Sequence, residues 1–257
     1  MCLILLAWRA HPDFPLVVVA NRDEFFARPT ALADFWSDRP EILAGRDLEG
    51  GGTWLGMSRN GRFAGLTNYR DPTRQRQGTP SRGKLVGDFL DGNMSAADYR
   101  QALALTGAAY NGYNLIFSDG QALYYQSNQG DGAGPLPPGV YGLSNHLLDT
   151  PWPKVALGKS RLSAALSLLP DDSGLMRLLR DDAIADDEKL PRTGVSLDWE
   201  RLLSSAFVRS PLYGTRSATV IVRDKAGSIA FEEVSFDEKG EETGRRRFEL
   251  PPLAGRP

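Results

Sequence analysis

Apolar positions along the chain first come in unbroken runs and only later at helical spacing. Residues 2–8 are continuously apolar, and residues 16–20 repeat the pattern after Pro15, so both are expected to be strands buried on both faces and paired through the intervening turn. Residues 53–58 and 62–68 flank Arg59-Asn60-Gly61, whose Asn-Gly step is a hairpin signal. The period then changes. Leu85, Val86, Phe89 and Leu90 predict a helix over 81–90, and Ser95 with Asp98 resembles a capping box opening a second helix over 96–105. Strands return at 113–118 and 122–126 around Asp119-Gly120, and at 139–145, after a Gly- and Pro-rich stretch from 128 to 139 that reads as an exposed loop. Helices are expected at 154–169, 174–180 and 197–207. The chain closes with strands at 217–223, 228–236 and 246–250.

Two batches of strands separated by helices, without βαβ alternation or internal repeats, predict an α+β fold of layered, largely antiparallel sheets, read as one domain over 1–257. Composition agrees: 41% hydrophobic and 24% charged residues describe a chain able to bury a core, and 27 Gly with 17 Pro favour many turns. Thirty Lys and Arg against 32 Asp and Glu give a net charge of −2, without the basic excess that phosphate-backbone binding requires, so no nucleic-acid partner is expected. No apolar run approaches the roughly 18 residues of a membrane span, and no targeting signal precedes the first strand. A cytoplasmic location is expected.

The chain holds one Cys and two His, which excludes an internal disulfide, a Cys-based metal site and a three-His centre; no metal is expected. The single Cys is Cys2. It reads either as a small hydrophobe opening a buried strand or, once Met1 is removed, as a thiol and an α-amine on one residue, where the amine serves as base for its own nucleophile. The second strand runs into Asn21-Arg22-Asp23-Glu24, in which Asn21 and Asp23 share one face and Arg22 and Glu24 the other. An Asp there could hold a terminal ammonium, and an Arg could lower a thiol's pKa. Asn68, Asn114 and Asn145 stand at strand ends, as turn formers or as amide donors to an oxyanion, and Arg216 precedes an apolar strand with the same ambiguity. Gly50-Gly51-Gly52-Thr53 lacks the ending of a phosphate loop and reads as a turn, and the acidic patch at 181–188 reads as exposed.

Taken together, Met1-Cys2, Ala20-Asn21-Arg22-Asp23-Glu24-Phe25, Gly51-Gly52-Thr53-Trp54-Leu55-Gly56, Leu66-Thr67-Asn68-Tyr69, Tyr110-Asn111-Gly112-Tyr113-Asn114-Leu115, Tyr141-Gly142-Leu143-Ser144-Asn145, Thr150-Pro151-Trp152-Pro153-Lys154 and Tyr213-Gly214-Thr215-Arg216 resemble the NRDE family, that of the transport and Golgi organization protein 2 homologs. The family is similar to N-terminal nucleophile (Ntn) hydrolases of the N-terminal Cys branch, which includes bile salt hydrolase and penicillin V acylase. The resemblance implies a four-layer αββα sandwich and cleavage of a linear amide. It makes Cys2 the nucleophile, with Asp23 holding the α-amine, Asn68 and Asn145 lining the oxyanion site, Arg216 near the thiolate, and Asn21, Arg22, Trp54 and Tyr69 against the substrate. The acylases show Arg-Asn-x-Asp where this chain has Ala20-Asn21-Arg22-Asp23, so their Arg falls on Ala20 and Arg22 is expected to point to the opposite face. No cofactor is implied for hydrolysis. Family members are also linked to haem mobilisation and to lipid or acyl-CoA homeostasis, which makes a non-catalytic haem or acyl-lipid carrier the alternative. Cys2, His11 and His146 would be its axial ligands, holding haem without covalent attachment.

Overall fold

The computed structural model describes residues 2–132 and 134–252. Of the motifs above, Met1 lies outside the described residues, as do Ala133 of the 128–139 loop and residues 253–257.

The first sheet has six antiparallel strands. β1 (Cys2–Trp8) pairs with β2 (Leu16–Phe25) in the hairpin that the two apolar runs predict, with Ile4 opposite Ala20 and Trp8 opposite Leu16. On the other side of β2 lies β10 (Tyr213–Arg223), followed by β11 (Ile229–Phe236) and β12 (Glu242–Leu250), while β9 (Gly139–Leu143) flanks β1. The second sheet runs in chain order from β3 (Thr30–Phe35) through β4 (Ile42–Asp47), β5 (Leu55–Ser58), β6 (Phe63–Asn68) and β7 (Tyr113–Ser118) to β8 (Leu123–Ser127). Both turn glycines named by the sequence sit at positive φ, Gly61 at 80° and Gly120 at 89°, where a Cβ would be strained.

Side-chain alternation sorts the apolar residues into three layers of contact. Ile4, Leu6 and Trp8 of β1 with Leu16, Val18 and Ala20 of β2 meet Leu43, Leu55, Met57 and Phe63 of the second sheet. The odd-numbered residues Leu3, Leu5, Val17 and Val19 face outward and are covered by α3 (Pro153–Leu166) and α4 (Leu175–Leu178) through Val155, Leu162 and Leu175. The outer face of the second sheet, Ala64, Leu66, Leu115 and Phe117, is covered by α1 (Gly83–Asp91) and α2 (Ala96–Thr106). The order helix, sheet, sheet, helix is the expected αββα sandwich. Ser95 caps α2 by accepting the Asp98 N–H at 3.1 Å, as its spacing predicts.

Several boundaries differ from the sequence reading, among them the start of β12, which is Glu242 and not residue 246. β2 continues through Asn21-Arg22-Asp23-Glu24 to Phe25, and β10 begins at Tyr213 rather than Ser217, because the two added segments pair with each other: Tyr213 lies opposite Phe25 and Thr215 opposite Asp23. β3 and β4 are additional strands. The helix expected over 197–207 is only α5 (Leu197–Leu202), and that over 154–169 ends at Leu166. No helix of the described residues is long and apolar enough to cross a membrane.

Candidate functional site

The inter-sheet layer is apolar at the Trp8 end of β1 and opens at the other end into a cavity of about 480 Å³. Cys2 stands at that end, half-buried, directly across from Arg22 in the β1–β2 register. The cavity is lined from the first sheet by Cys2, Arg22, Asp23, Glu24 and Arg216, and from the second-sheet side by Trp54, Asn68 and Arg82.

Strand period two decides which polar groups reach it. Ala20 and Arg22 share the face of Cys2, so Arg22 lies on the thiol's own side of the sheet, contrary to the expectation that it points away. Asn21 points to the helical layer, where its amide donates to the carbonyls of Leu179 (2.8 Å) and Ala206 (2.7 Å); it does not line the cavity. The Asp23 carboxylate accepts from Thr215 Oγ1 at 2.7 Å. Its backbone N–H, at the edge of the cavity, donates to the Cys2 thiol.

Burial pushes the Cys2 thiol above its ordinary value, against the pull of the Arg22 guanidinium and of the Asp23 N–H. The resting group is therefore a neutral thiol that needs a base. Burial also raises Asp23, opposed chiefly by the Lys154 ammonium, and brings Lys154 down to about 8, opposed by Asp23. Lys154, buried at the first turn of α3, is not marked as a site residue by the sequence: it closes the Thr150–Lys154 motif, but only the packing of α3 on β1 sets it near Asp23. Beside this pair Arg70 and Glu200 form a buried salt bridge of 2.6 Å, with side chains 3% and 4% exposed.

The asparagines divide. Asn68 lines the cavity. Asn145 is fully buried behind it and donates through Nδ2 to the Asn68 carbonyl at 2.8 Å, so it fixes the Asn68 backbone instead of facing the cavity. Asn114 bonds to Thr67 and Tyr125 inside the core. Arg216 occupies the β-bulge between Thr215 and Ser217 and donates to the carbonyls of Phe25, Phe26 and Arg28 and to Thr30 Oγ1. Those bonds tie the turn from β2 to β3. Of the expected substrate contacts, Trp54 lines the cavity, whereas Tyr69 lies outside it, against the His146 ring at 5.0 Å.

The haem donors are not brought together. His11 is in the β1–β2 turn, at the opposite end of β1 from Cys2, a separation of roughly 20 Å along the strand. His146 follows Asn145 near the Cys2 end but packs between Tyr69 and Trp152 and does not line the cavity. Cys2 and His11 therefore cannot hold one iron.

The Transport and Golgi organisation 2 family profile matches residues 1–238. The chain belongs to the Transport and Golgi organisation 2 family. It is 39% identical to the human Transport and Golgi organization protein 2 homolog (Homo sapiens), covering 93% of this chain and 94% of the relative. The cattle homolog (Bos taurus) is 38% identical over 92% and 93%, and the Drosophila melanogaster protein is 28% identical over 91% of each. The family match covers every cavity residue named above, and the Asn21-Arg22-Asp23-Glu24 segment of β2 is what brings Arg22, Asp23 and Glu24 to the cavity.

Proposed function

We propose that this member of the Transport and Golgi organisation 2 family is a Cys-nucleophile hydrolase of linear carbon–nitrogen bonds, related in mechanism to the Ntn hydrolases. The observation that carries the reading is the convergence of Cys2, Arg22, Asp23 and Asn68 on one cavity, with the Asp23 N–H bonded to the thiol. Removal of Met1 is a requirement. It frees an α-amine on Cys2, beside a thiol that burial keeps protonated and in a cavity lined by neither histidine.

In this mechanism the α-amine takes the thiol proton and Sγ attacks the amide carbon. The Asn68 amide stabilises the oxyanion, and the amine passes its proton to the leaving nitrogen. Water then attacks the thioester, with the same amine as base, and releases the acid. Asp23 holds the ammonium in place, Asn145 positions Asn68, and Arg216 positions the turn that carries the cavity wall. The test is intact-mass analysis before and after treatment with an activated acyl ester. A chain lacking Met1 should gain one acyl group that Cys2→Ala does not; a chain that retains Met1, or equal labelling of the variant, contradicts the reading.

A second cavity of about 330 Å³ favours acyl-lipid handling as the alternative. It lies on the helical side of β1 and is lined by Leu3, Leu5, Leu157, Leu178 and Ile184 with Lys154. Native mass spectrometry should then find co-purifying acyl species that release on denaturation, and a bare protein would count against it. For haem the separation of Cys2 from His11 offers no such support.

A further inference from the structure

Five arginines line the main cavity: Arg22, Arg28, Arg46, Arg82 and Arg216. Three have their guanidinium groups committed to the protein. Arg28 bonds Asp47 at 2.7 Å and pairs with Glu49 at 3.3 Å, Arg46 holds Asp38 through both terminal nitrogens, and Arg216 serves three carbonyls.

The other two flank Cys2 and are less fully engaged. Arg22 is 9% exposed, its Nη1 is buried without a hydrogen-bond partner, and its Nη2 stands 3.5 Å from Asp47 and 3.8 Å from Glu24, distances of charge compensation and not of hydrogen bonds. A buried guanidinium donor left unpaired is costly, and an ionised acceptor is its natural partner. Arg82 donates to the Gly112 carbonyl at 3.0 Å and forms no ion pair among the described residues; burial lowers it, and its neighbours in the cavity wall include Cys2, which would offset that burial only as a thiolate, and the Glu24 carboxylate. Glu24 thus serves both arginines as a counter-charge, while it also acts on Arg28 and Arg216 and accepts the Phe25 N–H, and Arg28 takes the shorter contacts to Asp47 and Glu49.

The same wall carries the N-terminus of α1, a nine-residue helix that starts with neither a capping side chain nor an acidic residue in its first turn. Ser81, Arg82 and Gly83 all line the cavity. Gly52 packs so closely beneath it that a Cβ there would stand 2.4 Å from the Gly83 carbonyl carbon, so the Gly50–Thr53 segment serves as a brace for this helix end. The Lys84 and Leu85 N–H groups already donate to the Ser81 and Arg82 carbonyls, so what favours an anion at such a place is the helix dipole without an acidic side chain to offset it.

We infer that the Cys2 end of the cavity is an oxyanion-recognition site, and that the substrate of the proposed hydrolase carries a carboxylate or phosphate beside its scissile bond, held by Arg22, Arg82 and the start of α1. The inference rests on the hydrolase reading for the word substrate; the anion site itself does not depend on turnover.

The test compares alkylation of Cys2 by iodoacetate, an anion, and by neutral iodoacetamide, each relative to free cysteine. The iodoacetate preference at Cys2 should exceed that of free cysteine by about tenfold or more. It should saturate with reagent, and inorganic phosphate or acetate should protect the wild-type protein, the stronger protector identifying which oxyanion fits. Arg22→Gln and Arg82→Gln should each return the preference toward that of free cysteine, with Arg22→Lys retaining part of it. Thermal unfolding in rising phosphate makes the same comparison without the thiol: the wild type should be stabilised and the two Gln variants less so. A preference equal to that of free cysteine, with no protection and no thermal shift, overturns the anion site. Failure of acyl transfer with the anion preference intact would overturn only the hydrolase.

Discussion

The two faces of β2 near Cys2 carry polar residues in equal density and use them differently. On the helical face, Asn21 and Asp23 meet partners drawn from distant parts of the chain: the carbonyls of Leu179 and Ala206, the hydroxyl of Thr215, and, beyond them, Lys154 and the Arg70–Glu200 pair. On the cavity face, Arg22 meets Glu24 and Asp47 only at long range, around a half-buried thiol, and the close hydrogen bond of Glu24 is a local one from the Phe25 N–H at 2.9 Å. Hydrogen bonds and a close salt bridge to distant segments fix the geometry of the helical face, even though Asn21 Oδ1 and Arg70 Nε and Nη2 are left without hydrogen-bond partners there, whereas a guanidinium with no hydrogen bond beside a nucleophile prepares a place for a ligand. The helical face is framework except at Asp23, which also reaches the edge of the cavity, and the cavity face is the site.

Breaking the framework should give the largest effect. Glu200→Ala leaves Arg70 buried without its counter-charge and removes the acceptor of the Thr193 N–H and hydroxyl. A loss of about 3–5 kcal/mol is expected in denaturant unfolding. A loss under about 1 kcal/mol would mean that the helical face does not hold the site in place.

The cavity face offers a smaller, pH-dependent test at its far wall. Glu233 is buried, accepts the Ala33 N–H at 2.8 Å, and is pushed up by burial to about 7. Because the folded carboxyl binds its proton more tightly than the unfolded one, the folded state is favoured below the unfolded value of 4.5, and this contribution is lost as pH rises through about 7. The difference amounts to about 3 kcal/mol at most. Glu233→Gln should remove this fall in stability between those two values and leave the protein more stable than wild type at pH 8. A variant with an unchanged pH profile would assign the dependence elsewhere.

The sequence carried most of the framework because its signals are local. The β1–β2 hairpin, the Asn-Gly and Asp-Gly turns, the Ser95 cap and the apolar stripe of α1 each follow from residues a few positions apart. What it hid depends on pairing at a distance. β3 is a short edge strand, half exposed and bulged between Ala31 and Asp34, so no alternation marks it. The polar half of β2 reads as a strand end until Tyr213–Arg223 is seen beside it. At the site, Cys2, Asp23 and Asn68 were legible as candidates, but the sequence could not separate Asn68 at the cavity from Asn145 behind it. Nor could it tell that Arg216 braces a turn, or that Arg82 and Lys154 approach Cys2 from two different helices.

The central claim is that Cys2, on the cavity face, is a nucleophile activated by its own α-amine. Intact-mass analysis of the purified full chain, before and after exposure to an activated acyl ester, tests it most directly. The account predicts a polypeptide beginning at Cys2 that gains a single acyl group, absent in Cys2→Ala. A chain that keeps Met1, or one that loses it and is labelled no differently from the variant, would contradict it.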